Sequence, residues 1–256
     1  MSFNFAVAGE KYDRFMGRYL PTLAVAFADA ADVHGGMSVL DVGCGPGGLT
    51  RELVARVGAD AVAAIDPSPP FVEATRDRYP GVDVREGAAE ELPFEDDTFD
   101  AALASLVVAF MQDAEAGISE MSRVTKSGGV VAACMWDVRG GMTMLRVMRE
   151  AAAAAVPDLP VSAPLPGTSE GDLGDLLRGA GLSDVEEGTI SASADYASFD
   201  DWWDPFMFGI GPHASYVAEL GDEQRDAVRN TARELLGNPS GPFTLDARAW
   251  FGRGRV

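Results

Sequence analysis

The stretch Val39-Leu40-Asp41-Val42-Gly43-Cys44-Gly45-Pro46-Gly47-Gly48-Leu49-Thr50 decides how the rest of the chain is read. An apolar run ends in a glycine-rich turn, and Leu49, Leu53, Val54 and Val57 then recur at helical spacing. That pattern is strand, tight turn, helix. Glycines in such a turn let the backbone approach a ligand and take conformations closed to other residues. The helix beyond begins with amides that have no partner inside the helix. Asp41 stands just before the turn, placed to bind a ligand's hydroxyls or amine, or to hold the loop. Gly43-x-Gly45-x-x-Gly48 also satisfies the dinucleotide fingerprint, a weak signal alone. A second small apolar run, residues 61–65, ends at Asp66. An acidic residue at the tip of a second strand, about 20 residues on, holds a ribose by its two hydroxyls. The two strands together point to a nucleoside ligand.

The wider pattern resembles a family. Asp41-Val42-Gly43-Cys44-Gly45-Pro46-Gly47 resembles motif I of the class I S-adenosylmethionine (SAM)-dependent methyltransferases, and Asp66 falls where that family keeps its ribose-binding acid. Gly87-Ala88-Ala89-Glu90-Glu91-Leu92-Pro93-Phe94, followed by Asp97-Thr98-Phe99-Asp100, is similar to the family's adenine loop leading into strand four. Arg123-Val124-Thr125-Lys126-Ser127-Gly128-Gly129 resembles the turn into strand five. The likeness is nearest to small-molecule enzymes of the ubiquinone/menaquinone-biosynthesis type. It covers residues 36–136 well and the remainder in outline.

The resemblance implies an α/β fold: a Rossmann-like, seven-stranded, mostly parallel sheet with an antiparallel last strand, N-terminal helices and a helical lid. It implies SAM as cofactor and S-adenosylhomocysteine as product. Gly43, Gly45, Asp66, Pro67, Ala88, Ala89 and Ser105 would define the cofactor site, with Asp41 acting nearby through the loop and Glu90 as a further contact. Ser105 and Leu106 would face the sulfonium. In similar enzymes the first helix covers the cofactor, so Tyr12 and Arg18 are the residues to meet its carboxylate.

Composition narrows the function. The chain has 256 residues, long enough for one domain with a lid. Forty acidic residues against 20 basic ones leave a net charge of −20. Long-range repulsion of that size opposes nucleic acid and anionic membrane surfaces and favours a small-molecule substrate. No apolar run approaches the ~18 residues of a membrane span, and the N-terminus lacks a secretory pattern. The expectation is a cytoplasmic protein, monomer or homodimer. Cys44 and Cys134 have no disulfide or zinc spacing, so they read as free thiols, and no metal is called for.

Along the chain, Tyr12, Phe15, Met16, Tyr19, Leu23 and Phe27 predict helices over 9–19 and 21–32, the second opened by Pro21. Helices are expected at 69–78, 113–125, 142–155 and 172–179. Strands are expected at 82–86, 99–105 (the apolar run continuing to Met111), 129–136, 183–196 and 243–252, the last from strict alternation. Residues 157–168 read as a loop. The expected organisation is one domain: cap helices 1–34, core 36–197 and 241–256, and lid 198–240. His34 precedes the first strand, at the wrong end of the sheet for a ligand. The acceptor site would draw on Phe110, Met111, Trp136, Phe206 and His213. His213 and Asp137 are the candidate bases, and neither is assigned. Two alternatives stay open: a non-methylating SAM-fold protein such as a cyclase or binding module, and a nicotinamide-dependent oxidoreductase.

Overall fold

The computed structural model describes residues 14–156, 165–209 and 217–256. Its centre follows from strands with no polar face. Every residue of β1 (Val39–Val42) and β2 (Val62–Asp66) is buried, as is nearly all of β4 (Phe99–Ser105). Such strands belong inside a parallel sheet covered by helices on both sides. β1 pairs in parallel with β2 and β4, β2 with β3 (Asp83–Glu86), and β4 with β5 (Thr125–Trp136). β7 (Phe243–Arg255) runs antiparallel to β5. With β6 (Ser183–Tyr196) at the edge, the described strands form a seven-stranded sheet in the order β3-β2-β1-β4-β5-β7-β6. The order reverses between β1 and β4, and ligands of such sheets bind beyond the carboxyl ends at that point.

The described helices include α1 (Leu20–Ala30), α2 (Gly48–Val57), α3 (Pro69–Arg78), α4 (Ala114–Val124), α5 (Thr143–Ala155), α6 (Asp172–Gly179), α7 (Phe199–Trp203) and α8 (Asp222–Leu235). No described helix is long and apolar enough to cross a membrane. The chain parts into two compact units. The larger comprises residues 20–137, 164–192 and 248–256, and holds most of the sheet. The smaller comprises 1–19, 138–163 and 193–247. Within the smaller unit α5 packs along α8. Trp202 is wholly buried there beside Phe206, and Phe206 meets Phe15 edge-on.

Two expectations shift. The helix expected over 9–19 is a 3₁₀ turn at Met16–Tyr19, and the part before residue 14 lies outside the described residues. Pro21 explains the junction: it lacks an N–H and its ring crowds the preceding turn. β5 begins at Thr125 rather than 129. β4 ends at Ser105 as expected although the apolar run continues to Met111, because Leu106 takes φ 63° and Val108–Phe110 forms a 3₁₀ turn.

Candidate functional site

The glycine turn at the end of β1 is tied down on two sides. The amides of Gly43 and Cys44 both donate to the Ile65 carbonyl of β2, at 2.8 and 3.0 Å. The Gly45 carbonyl accepts the Thr75 hydroxyl, and the Pro46 carbonyl accepts Arg78, each at 2.8 Å. Gly43, Gly45 and Gly47 have φ of 71°, 54° and 90°, the left-handed region where a side chain costs about 1 kcal/mol or more. At Gly43 and Gly47 space forbids a side chain as well. A Cβ on Gly43 would overlap the Val107 methyls, and one on Gly47 the Tyr79 ring.

Two buried carboxylates flank this turn. Asp66 is 6 % exposed; its Oδ2 accepts the Gly45 amide at 2.9 Å and its Oδ1 the Ser68 amide at 2.8 Å. Burial raises its pKa, and those two amides oppose the rise. Pro67, next in sequence, is exposed. Asp41 is 1 % exposed and its Oδ2 accepts the Thr50 hydroxyl at 2.6 Å. Among the described residues Oδ1 of Asp41 meets no donor. Burial pushes the Asp41 carboxyl up to about 7; the Thr50 bond opposes this and the Asp66 charge adds to it.

A raised carboxyl pKa has a defined sign. From about pH 4, where a free carboxyl titrates, to about 7, the folded protein binds more protons at Asp41 than the unfolded chain does. Stability therefore falls as pH rises through that window. Asp41→Asn removes the titration, so its Tm relative to the native protein should climb between pH 5 and pH 8. A constant difference across that range in thermal denaturation would show that Asp41 ionises like an exposed acid.

The rest of the carboxyl edge comes from two segments. In the 87–98 loop, the Gly87 amide donates to the Asp66 carbonyl at 3.1 Å. Ala88 is half-buried. Beyond β4, the Ser105 hydroxyl lies 3.6 Å from the Cys134 sulfur, and the Leu106 amide donates to the Cys134 carbonyl at 2.8 Å. Burial raises the pKa of both thiols, Cys44 and Cys134, so neither is a poised nucleophile. Phe110 is 42 % exposed, and Met111 seats its sulfur against Gly117 of α4. Trp136 closes β5 in a buried position.

Residues 40–133 match the methyltransferase-domain family. An uncharacterized protein of Mycobacterium bovis is 31 % identical over 206 residues, covering 75 % of this chain and 71 % of that protein. The chain belongs to the class I SAM-dependent methyltransferases. A chloroplastic 2-methyl-6-phytyl-1,4-hydroquinone methyltransferase of rice is 39 % identical over 104 residues, which are 40 % of this chain. The match spans only 31 % of that relative's length. Among solved structures, a SAM-dependent methyltransferase of Thermotoga maritima, described as a possible histamine N-methyltransferase, superposes with a TM-score of 0.57. It shares 19 % identity, covers 98 % of this chain and 97 % of that one, and so is a likeness of fold.

In this chain the structure brings Asp41, Gly43, Gly45, Asp66, Pro67 and Ala88 to neighbouring strand ends, with Ser105 and Leu106 closing β4. Other expected site residues are engaged elsewhere. Ala89 is buried in the core cluster with Leu92 and Ile118. The Glu90 carboxylate accepts the Gln112 and Asp113 amides at 2.6 and 3.2 Å, where it holds the turn before α4. Arg18 is neutralised by an ion pair with Asp201, donates to the Asp195 carbonyl at 3.1 Å and lies over the Tyr196 ring. Asp137 is buried and bound by the Arg248 guanidinium. Phe206 is wholly buried against Trp202 and Phe15, a packing position. Tyr12 and His213 lie outside the described residues.

Sequence reasoning missed Thr50 and Val107. Thr50 faces inward on the first turn of α2, and a hydroxyl nine residues after an acid at a strand end was the available signal. Val107 reaches Gly43 only because the chain reverses at Leu106, and the sequence carries no local sign of that.

Proposed function

We propose that this protein transfers the methyl group of SAM to a small-molecule acceptor. The observation that carries the reading is the pair of acids at the glycine turn. Asp66 is already oriented by the Gly45 and Ser68 amides, and each of its oxygens keeps a further lone pair for a ribose hydroxyl. Asp41 holds a buried oxygen without a donor among the described residues, which fits an amino group. At Gly45 the turn borders open space, with no protein atom beyond its chain neighbours within 4 Å of where a Cβ would stand. These features fit SAM.

When bound, SAM supplies an activated methyl on a sulfonium for in-line displacement. The protein's share is to hold both partners in line and exclude water. Gly43 and Gly45 bring the backbone close, Pro67 and Ala88 border the nucleoside, and Ser105 and Leu106 end the strand facing the reacting centre. Phe110, Met111 and Trp136 give the acceptor an apolar wall. The net charge of −20 supports a small molecule over nucleic acid. Two buried free cysteines fit the reducing cytoplasm.

The test is calorimetric titration with SAM, S-adenosylhomocysteine and NAD(H). Micromolar binding of the adenosyl ligands alone is expected, followed by formation of S-adenosylhomocysteine on a panel led by phenols and hydroquinones. Binding of NAD(H) alone overturns the reading. SAM binding without turnover on a broad panel favours a non-methylating role.

A further inference from the structure

The 87–98 loop contains no helix or strand. A segment of that kind must satisfy its backbone through side chains or water. Here one ion pair on α4 supplies much of what the loop needs. Arg123 donates through Nε to Glu120 Oε1 at 2.7 Å, through Nη2 to Glu120 Oε2 at 2.7 Å and the Leu92 carbonyl at 3.0 Å, and through Nη1 to the Phe94 carbonyl at 2.9 Å and Asp96 Oδ1 at 2.7 Å. That engages all five N–H donors of a guanidinium. Glu120 Oε2 also accepts the Leu92 amide at 2.9 Å. The pair thus binds three backbone groups and one side chain of the loop.

The loop is held at its other end too. Gly87 donates to the carbonyl of Asp66, and Glu90 accepts two amides at the start of α4. Residues 88 and 89 lie between those two fixed points, Ala89 packed into the core cluster. The side that would meet the nucleobase is therefore shaped by contacts made behind it.

We propose that Arg123 and Glu120 are positioning residues for the nucleobase side of the cofactor site, holding the 87–98 loop in its binding shape before ligand arrives. The inference rests on the adenosyl reading above. It follows from how affinity depends on preorganisation: a ligand that needs the ordered loop binds in proportion to the fraction already ordered. A helix-surface pair whose role ended at mutual attraction would not reach across to two loop carbonyls. Lysine has three donors and no planar fork, so it cannot reproduce the arrangement. Loss of the pair loosens the loop without releasing it, since Phe94 still packs edge-on against Phe99 with the Arg85 guanidinium 4.3 Å from its ring centre.

The experiment compares the native protein with Arg123→Met, Arg123→Lys, Glu120→Gln and Asp66→Ala. It reads S-adenosylhomocysteine affinity by calorimetry, amide exchange over 87–98, and thermal unfolding. For Arg123→Met the Kd rises about tenfold, about 1.4 kcal/mol. Exchange at Leu92 and Phe94 quickens without ligand, and saturating S-adenosylhomocysteine restores protection. Arg123→Lys recovers only part of the affinity. Faster exchange with unchanged Kd in folded protein overturns the proposal, as does a lower Tm with neither effect. Should Arg123→Met fail to fold, Arg123→Lys and Glu120→Gln decide between the same outcomes. Silence of the native protein, or an Asp66→Ala variant that binds normally, instead overturns the adenosyl reading.

Discussion

Asp66→Ala weakens SAM binding by about tenfold or more in a protein that remains folded. The carboxylate is buried at the end of β2 and accepts the Gly45 and Ser68 amides. Alanine removes the charged acceptor for the ribose and one of the turn's ties to β2, that of the Gly45 amide, while the Gly43 and Cys44 amides keep theirs on Ile65. A hydrogen bond to a charged group contributes about 1.5–3 kcal/mol, so losing one ribose contact alone accounts for about a tenfold change. Asp66→Asn keeps one acceptor oxygen and should fall between the two. Unchanged affinity in the folded alanine variant would move the ribose site away from β2.

Gly43→Ala has the largest expected effect on stability, about 3 kcal/mol. Two separable costs add. The φ of 71° puts a β-carbon in the left-handed region, at about 1–2 kcal/mol. The new methyl also overlaps Val107, and relieving such crowding costs about 1–3 kcal/mol. For a chain of this size each kcal/mol lowers Tm by roughly 2–4 °C. The partition can be measured with Val107→Ala. The double variant should recover the steric part and leave the backbone part, so the two substitutions will not add. Simple additivity would show that Val107 moves aside freely and that only the backbone resists.

Some of the chain was legible because its physics is local. The central strands are continuous apolar runs, and strands buried on both faces need no partner to be recognised as such. β7 alternates because one face is wet: Leu245, Ala247 and Ala249 are buried while Thr244, Asp246 and Arg248 are exposed. The glycine turn was legible because positive φ selects glycine almost regardless of surroundings. Asp66 could be located because its place is set by the length of one strand-helix-strand unit.

Other assignments depended on where distant segments meet. Arg18 carries no sequence mark of its pairing with Asp201, nor Asp137 of its pairing with Arg248. Glu90 reads as a ligand contact in the loop, and only its two bonds to residues 112 and 113 show it fastening the turn before α4. Arg123 lies in a stretch that reads as the turn into a strand, yet the structure commits its five donors to a loop about 30 residues earlier and to Glu120.

The positions of the central strands, the glycine turn and the acid at the end of β2 were therefore written in the chain itself, since hydrophobic burial and backbone sterics act on neighbours in sequence. The partner of each charged side chain was settled by folding alone, because electrostatic and hydrogen-bond partners are chosen by proximity in space. Those partners decide which acids and arginines are left to meet a ligand.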